Sequence, residues 1–113
     1  MPSRPHILFV CGRNQWRSPT AARIYANDQR VEVRSAGVSP QSPHCISERD
    51  LQWADLVLVM ERKHRSRILD RFRHLADPPP IESLEIPDAY GYMDEELVEL
   101  IAEATGPHLG NLV

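Results

Sequence analysis

The sequence predicts an α/β fold of three layers, a four-stranded parallel sheet with helices on both faces. Three observations carry this. Two short continuous apolar runs, Ile7-Leu8-Phe9-Val10 and Leu56-Val57-Leu58-Val59-Met60, read as strands covered on both faces, as strands of a parallel sheet are. Segments of helical spacing alternate with strand segments in the order βαβαβαβα, which calls for right-handed crossovers. The 113 residues, 42% apolar and 26% charged, suffice for one core but not two, so residues 1–113 are expected to form a single domain. In such a fold ligands bind at the carboxyl ends of the strands.

Ile7 to Val10 is strand one. Ser18 reads as the N-cap of helix one and Pro19 as its first helical residue, with Ala21, Ala22, Ile24, Tyr25 and Ala26 continuing to about Asp28. Val31 to Ser35 alternates and ends at Ala36-Gly37, a short half-exposed edge strand. A loop rich in proline and serine follows, with Ser39, Pro40, Ser42 and Pro43. Ser47-Glu48-Arg49-Asp50 is a capping-box variant that opens a short helix through Trp53. Leu56 to Met60 is the central strand. In the next helix Ile68, Leu69, Phe72 and Leu75 recur at helical spacing until Pro78-Pro79-Pro80 stops it. Ile81 to Ile86 is the fourth strand. The last helix starts at Asp94, places Leu97, Leu100, Ile101 and Ala104 on one face and Glu95, Glu96, Glu99 and Glu103 on the other, and ends at Gly106-Pro107.

The formal charge of -3 hides an asymmetry: residues 74–113 carry 9 acids and no lysine or arginine, and all 13 bases precede them. All but Lys63 are arginines, which favours contact with anions through planar forks. Because Arg62, Lys63, Arg65, Arg67, Arg71 and Arg73 mostly decorate the solvent side of one amphipathic helix, nucleic acid is not the expected partner. No apolar run approaches the roughly 18 residues of a membrane span, and Met1-Pro2-Ser3-Arg4-Pro5 is no signal-peptide start. A cytoplasmic protein without a membrane partner is expected, with a monomer favoured. Cys11 and Cys45 cannot build a disulfide scaffold and have no zinc-ligand spacing. The histidines His6, His44, His64, His74 and His108 form no ligand pattern, so neither metal nor cofactor is expected. His64 falls near the apolar stripe of its helix and reads as a satisfied boundary histidine rather than a base, and Cys45 reads as an incidental thiol.

Chemistry concentrates in Cys11-Gly12-Arg13-Asn14-Gln15-Trp16-Arg17-Ser18-Pro19, between the first strand and the first helix. Backbone N–H groups of Gly12, Arg13, Asn14, Gln15, Trp16 and Arg17 can curl around a tetrahedral anion with the helix's positive end pointing at the same spot. Helix N-termini and arginine favour the thiolate, the nucleophilic form of cysteine. Arg17 can clamp two phosphoryl oxygens, and Ser18 can donate a hydrogen bond to the sulfur. These are the needs of in-line attack on phosphorus. The loop is not of the ATP-binding type, which requires G-x-x-x-x-G-K-[ST].

Ile-Leu-Phe-Val-Cys-x5-Arg-Ser-Pro-Thr-Ala, then Ser35-Ala36-Gly37, Trp53-Ala54-Asp55-Leu56-Val57-Leu58-Val59-Met60 and Ile86-Pro87-Asp88-Ala89-Tyr90 together resemble the landmarks of low-molecular-weight protein tyrosine phosphatases. The late run Ile-Pro-Asp-x-Tyr-x-Tyr-Met-Asp is similar to that of a short bacterial subgroup. The resemblance implies a strand order of 2-1-3-4, Cys11 as nucleophile, Arg17 as phosphate clamp, Ser18 as helper of the sulfur as leaving group and Asp88 as general acid. It also implies that Asn14 and Ser35 hold the loop's shape. Arg13 and Trp16 replace a glycine and a second cysteine common in the family. Only eight residues separate Gly37 from Ile46, where full-length members carry a further helix and part of the substrate rim.

Trp16, Tyr90 and Tyr92 are expected to wall a slot for a flat aryl ring, and Arg13 is a candidate for a second anionic group. The expected activity is metal-independent hydrolysis of a phosphotyrosine protein or small aryl phosphate through a cysteinyl-phosphate. The alternatives are arsenate reduction on the same scaffold, for which only Cys45 is left as a resolving thiol, and a phosphate- or RNA-binding module without turnover.

Overall fold

Alternation along the first strand sets the layers. In β1 (His6–Cys11) the side chains of Ile7, Phe9 and Cys11 join one apolar cluster and those of Leu8 and Val10 another, all within the core. The first cluster is completed by α1 (Arg17–Tyr25) and α4 (Glu95–Leu112), the second by α2 (Glu48–Trp53) and α3 (Arg62–Arg71). The sheet between them has the order β2-β1-β3-β4, with β2 (Glu32–Gly37), β3 (Leu56–Val59) and β4 (Ile81–Ser83) all parallel to their neighbours. Ile7 through Val10 and Val57 through Val59 are wholly buried, each large side chain contributing about 1.5–3 kcal/mol by leaving water. This is a computed structural model that describes residues 4–112; Met1, Pro2 and Ser3 of the expected N-terminal start, and Val113, lie outside the described residues. No described helix is long and apolar enough to cross a membrane.

The order positions the site. Chain leaving β1 crosses the α1 face towards β2, whereas chain leaving β3 crosses the opposite face through α3 towards β4. The two connections diverge between neighbouring strands, and that is where an open parallel sheet leaves a crevice at its carboxyl edge.

Several boundaries differ from the sequence expectation. Helix α1 begins at Arg17, with Trp16 at the N-cap position, and ends at Tyr25. Ser18 therefore lies inside the first turn, its hydroxyl engaged elsewhere. Strand β4 is only three residues long, because Glu85 adopts a left-handed φ of 55°; chain beyond it still donates from Leu84 N–H to the Val59 carbonyl and from Ile86 N–H to that of Met60. Leu69 is exposed, leaving Ile68 and the following Phe72 to hold α3 down. Helix α4 passes through Gly106 and Pro107 to Leu112. Its buried stripe of Leu97, Ile101, Thr105 and Leu109 continues across that point, and Pro107 lies on the exposed side, so packing overrides the local stop signal. The capping box at Ser47 and Asp50 forms as expected.

Candidate active site

The run from Cys11 to Arg17 wraps over the end of β1 into the first turn of α1. Asn14 takes a left-handed φ of 54°, a conformation that asparagine tolerates better than most residues. The turn points its N–H at Cys11 Sγ, 3.2 Å away. Ser18 Oγ lies 3.0 Å from the same sulfur, and its one proton also has the Asn14 Oδ1 (3.0 Å) and the Ala36 carbonyl (3.2 Å) within reach. Once the sulfur carries charge, that proton has its strongest acceptor there.

The loop's outer side is tied to the segment after β2. Val38 N–H donates to the Cys11 carbonyl at 3.0 Å and Ser39 N–H to the Gly12 carbonyl at 2.8 Å; Ser42 Oγ donates to the latter at 3.4 Å. A Cβ at Gly37 would run into Ser42's side chain and the Asn14 amide nitrogen, so glycine is what lets the two segments close on each other. Ser35, expected to support the loop, instead pairs with Phe9 in the sheet and borders a separate hollow beside α1. Contact with the loop comes instead from the Ala36 carbonyl near the end of β2, which Ser18 reaches, and from Ser39 and Ser42, which the sequence presents only as part of a loop.

Arg17 is 4% exposed, so its charge must be matched. Nη1 donates to Glu61 Oε2 at 2.8 Å and to the Ile86 carbonyl at 2.9 Å, both beyond the ends of neighbouring strands. Among the described residues Nη2 has no hydrogen-bond partner, and Nε has only the Asp88 carboxylate at 3.7 Å. The guanidinium is thus anchored by one nitrogen, with its other edge available for a bidentate contact. Burial pushes the Glu61 carboxyl up, but the hydrogen bond and charge of Arg17, with Lys63 and His64, outweigh it and hold Glu61 below the usual carboxylate range.

His64, in the first turn of α3, is buried in the same wall. Its Nδ1 accepts the Glu61 N–H at 3.1 Å, which places the ring proton on Nε2 in the neutral form. Burial, then the charge of Arg17, push it down to about 4. Nε2 lies 3.6 Å from Glu61 Oε2, and α3 thereby sits directly against the Gly12 end of the loop.

These groups enclose an open cavity of about 560 Å³ with Cys11, Arg17, His64 and Asp88 in its lining. Gly12, Arg13, Gln15 and Trp16 line it from the loop, and Lys63 and Arg67 from α3. Of the three expected aromatic residues only Trp16 borders it. Tyr90 packs against the α1–α4 core cluster and Tyr92 projects into solvent. Asp94, the next carboxylate along the chain after Asp88, is occupied at the start of α4, where Oδ1 accepts the Glu96 N–H at 2.9 Å.

Cys45 does not reach this cavity. It is bridged to Gly37, which is itself paired with Cys11 across the sheet. Two inter-strand steps separate the α-carbons by roughly 10 Å, beyond the roughly 7 Å limit for a disulfide.

No family model matches the sequence. It is 36% identical, in an alignment of 101 residues covering 68% of this chain and 67% of the relative, to the protein-arginine-phosphatase of Geobacillus stearothermophilus. Among solved structures, YwlE arginine phosphatase from the same organism superposes with a TM-score of 0.66 at 26% identity, covering 95% of this chain and 94% of that one. The low molecular weight protein tyrosine phosphatase SP-PTP of Streptococcus pyogenes reaches 0.78 over 96% of this chain and 93% of its own at 17% identity, a likeness of fold.

Proposed function

Since the chain belongs to the low-molecular-weight protein tyrosine phosphatase family and is a cysteine-dependent phosphatase, we propose that its substrate is phosphotyrosine on proteins. The observation that carries this is the position of Cys11 Sγ, bonded to the Asn14 N–H and Ser18 Oγ at the floor of a cavity that the open edge of Arg17 and the Asp88 carboxyl also border.

In the proposed reaction the loop N–H groups and Arg17 hold three phosphoryl oxygens while the Cys11 thiolate attacks phosphorus opposite the tyrosyl oxygen. The P–O bond breaks as P–S forms, and Asp88 gives its proton to the departing phenol oxygen. As a carboxylate, Asp88 then takes a proton from water, whose oxygen attacks phosphorus. The P–S electron pair returns to sulfur, steadied by the Ser18 hydroxyl, and inorganic phosphate leaves. No step calls on a metal or on Cys45. We also place the protein in the reducing cytoplasm, a reading supported by the two free cysteines, and treat it as a monomer.

A second reading, hydrolysis of the P–N bond of phosphoarginine, is favoured by the arginine phosphatase relative. Against it stands the cavity lining, which offers a cationic guanidinium leaving group one carboxylate, Asp88, among Arg13, Arg17, Lys63 and Arg67. Parallel kinetics on phosphotyrosine and phosphoarginine peptides, with p-nitrophenyl phosphate as a general probe, decide between them. Phosphotyrosine is expected to be turned over faster, and Cys11→Ser to abolish turnover while inorganic phosphate still binds. A kcat/KM greater for phosphoarginine would transfer the assignment to it, and residual turnover in Cys11→Ser would remove the nucleophile.

A further inference from the structure

Resting on the phosphotyrosine reading, we propose that Arg13, Lys63 and Arg67 on the cavity's rim select peptides with acidic residues flanking the phosphotyrosine. Lys63 and Arg67 stand one turn apart on α3, hence on one face. That face abuts the loop, because a Cβ at Gly12 would lie 3.7 Å from Nε2 of the intervening His64. Arg13 approaches from the loop itself, and all three border the cavity that holds Cys11.

What separates them from the other bases of α3 is that they are uncommitted. Arg62 is held by Glu85 at 2.7 Å and Arg65 by the Ile81 carbonyl at 3.1 Å, and Arg71 donates to Cys45 Sγ at 3.3 Å. Among the described residues Arg13 and Arg67 have no ion-pair partner. Lys63 is 3.8 Å from Glu61, whose carboxylate is already engaged by Arg17. Asp88 is the one carboxylate in the lining. A phosphoryl group satisfies the loop N–H groups and Arg17, leaving the three rim charges facing the chain on either side of the phosphotyrosine. Exposed charges arranged this way act mainly through attraction of oppositely charged ligands and lose strength in salt.

The shared chemistry is an anion beside the reacting ester, which a carboxylate or a second phosphoryl group could supply; carboxylates are the proposed source. The experiment measures kcat/KM on one phosphotyrosine peptide flanked in turn by Glu, Gln, Lys or phosphoserine, at low and high salt. Glu over Lys by about tenfold is expected at low salt, falling to about twofold at about 0.5 M. In Lys63→Gln/Arg67→Gln the low-salt preference should shrink to about threefold or less, with p-nitrophenyl phosphate turnover unchanged. Equal rates for the Glu and Lys peptides, or a preference undiminished in the double variant, would overturn the proposal. So would a gain with phosphoserine and none with Glu, which would assign the rim to a second phosphate. Loss of the p-nitrophenyl phosphate and phosphotyrosine activities altogether would instead bring down the enzymatic reading, and this proposal with it.

Discussion

The two walls of the cavity are built differently. One is a continuous run, Cys11 to Arg17, whose shape comes from backbone: the left-handed turn at Asn14, the N–H groups that follow β1, and carbonyls tied to Val38 and Ser39. The other is assembled from groups beyond two strand ends, with Glu61 and His64 following β3, and the Ile86 carbonyl and Asp88 following β4. The first wall can keep its geometry with several side chains replaced, whereas the second depends on single contacts across the sheet. Arg17 joins them, belonging to the loop by sequence and to the opposite wall by its hydrogen bonds.

The largest break in the assembled wall is expected from Asp88→Asn, which should slow hydrolysis of esters with phenol-like leaving groups by about 10²- to 10⁴-fold and that of p-nitrophenyl phosphate less, since p-nitrophenol leaves with little help from a proton. Asp94→Asn should be nearly silent, because asparagine caps a helix almost as well. Comparing kcat across leaving groups for both variants checks this pair, and a leaving-group-dependent loss in Asp94→Asn alone would reverse the assignment.

Arg17→Lys tests the joint between the walls. Lysine keeps the charge but cannot be anchored at one nitrogen while offering a planar edge, so about 2–4 kcal/mol of transition-state stabilisation should be lost, seen as a drop of about 30- to 1,000-fold in kcat/KM. Glu61→Gln keeps the shape of the anchor and removes its charge. As Glu61 is a positioning residue, a loss of about tenfold is expected, mainly in kcat, with a pH profile otherwise unchanged; an effect confined to KM would mean that Glu61 does not aim Arg17 for the reaction.

The smallest effect concerns stability. Folded His64 binds its proton only below about 4, while an unfolded histidine titrates near 6.5. Between these values the unfolded chain binds more protons, so stability should fall as pH falls from about 6.5 towards 4, on the order of 1–3 kcal/mol. Glu61, held low when folded, adds a loss of the same sign further down. Urea unfolding at several pH values should show the higher window in the parent and not in His64→Gln; an unchanged profile would place the slope elsewhere.

The continuous wall was legible in sequence because its parts are neighbours: an apolar strand, a cysteine, a stretch able to present N–H groups, then Arg17 and a helix. The assembled wall was not. Nothing at Glu61 announces a partner 44 residues earlier, since that contact exists only because β3 lies beside β1. Local signals also misled where a tertiary partner outbid them. Ser18-Pro19 has the look of a helix cap, but the serine's hydroxyl faces the sulfur. Gly106-Pro107 has the look of a stop, but Leu109 still has a core to reach. Tyr90 and Tyr92 follow Asp88 in sequence, and the chain turns them away from the cavity that Asp88 borders.

The spacing of Cys11, Gly37 and Cys45 across the sheet also bears on how the protein withstands peroxide. A cysteine oxidised to the sulfenic acid escapes further, irreversible oxidation when a nearby thiol condenses with it. The position beside Arg17 that could have held one is Trp16, and Cys45 is two strand positions away. Repair of an oxidised Cys11 therefore falls to a small thiol from outside, and the same open cavity that admits a phosphate ester is its way in.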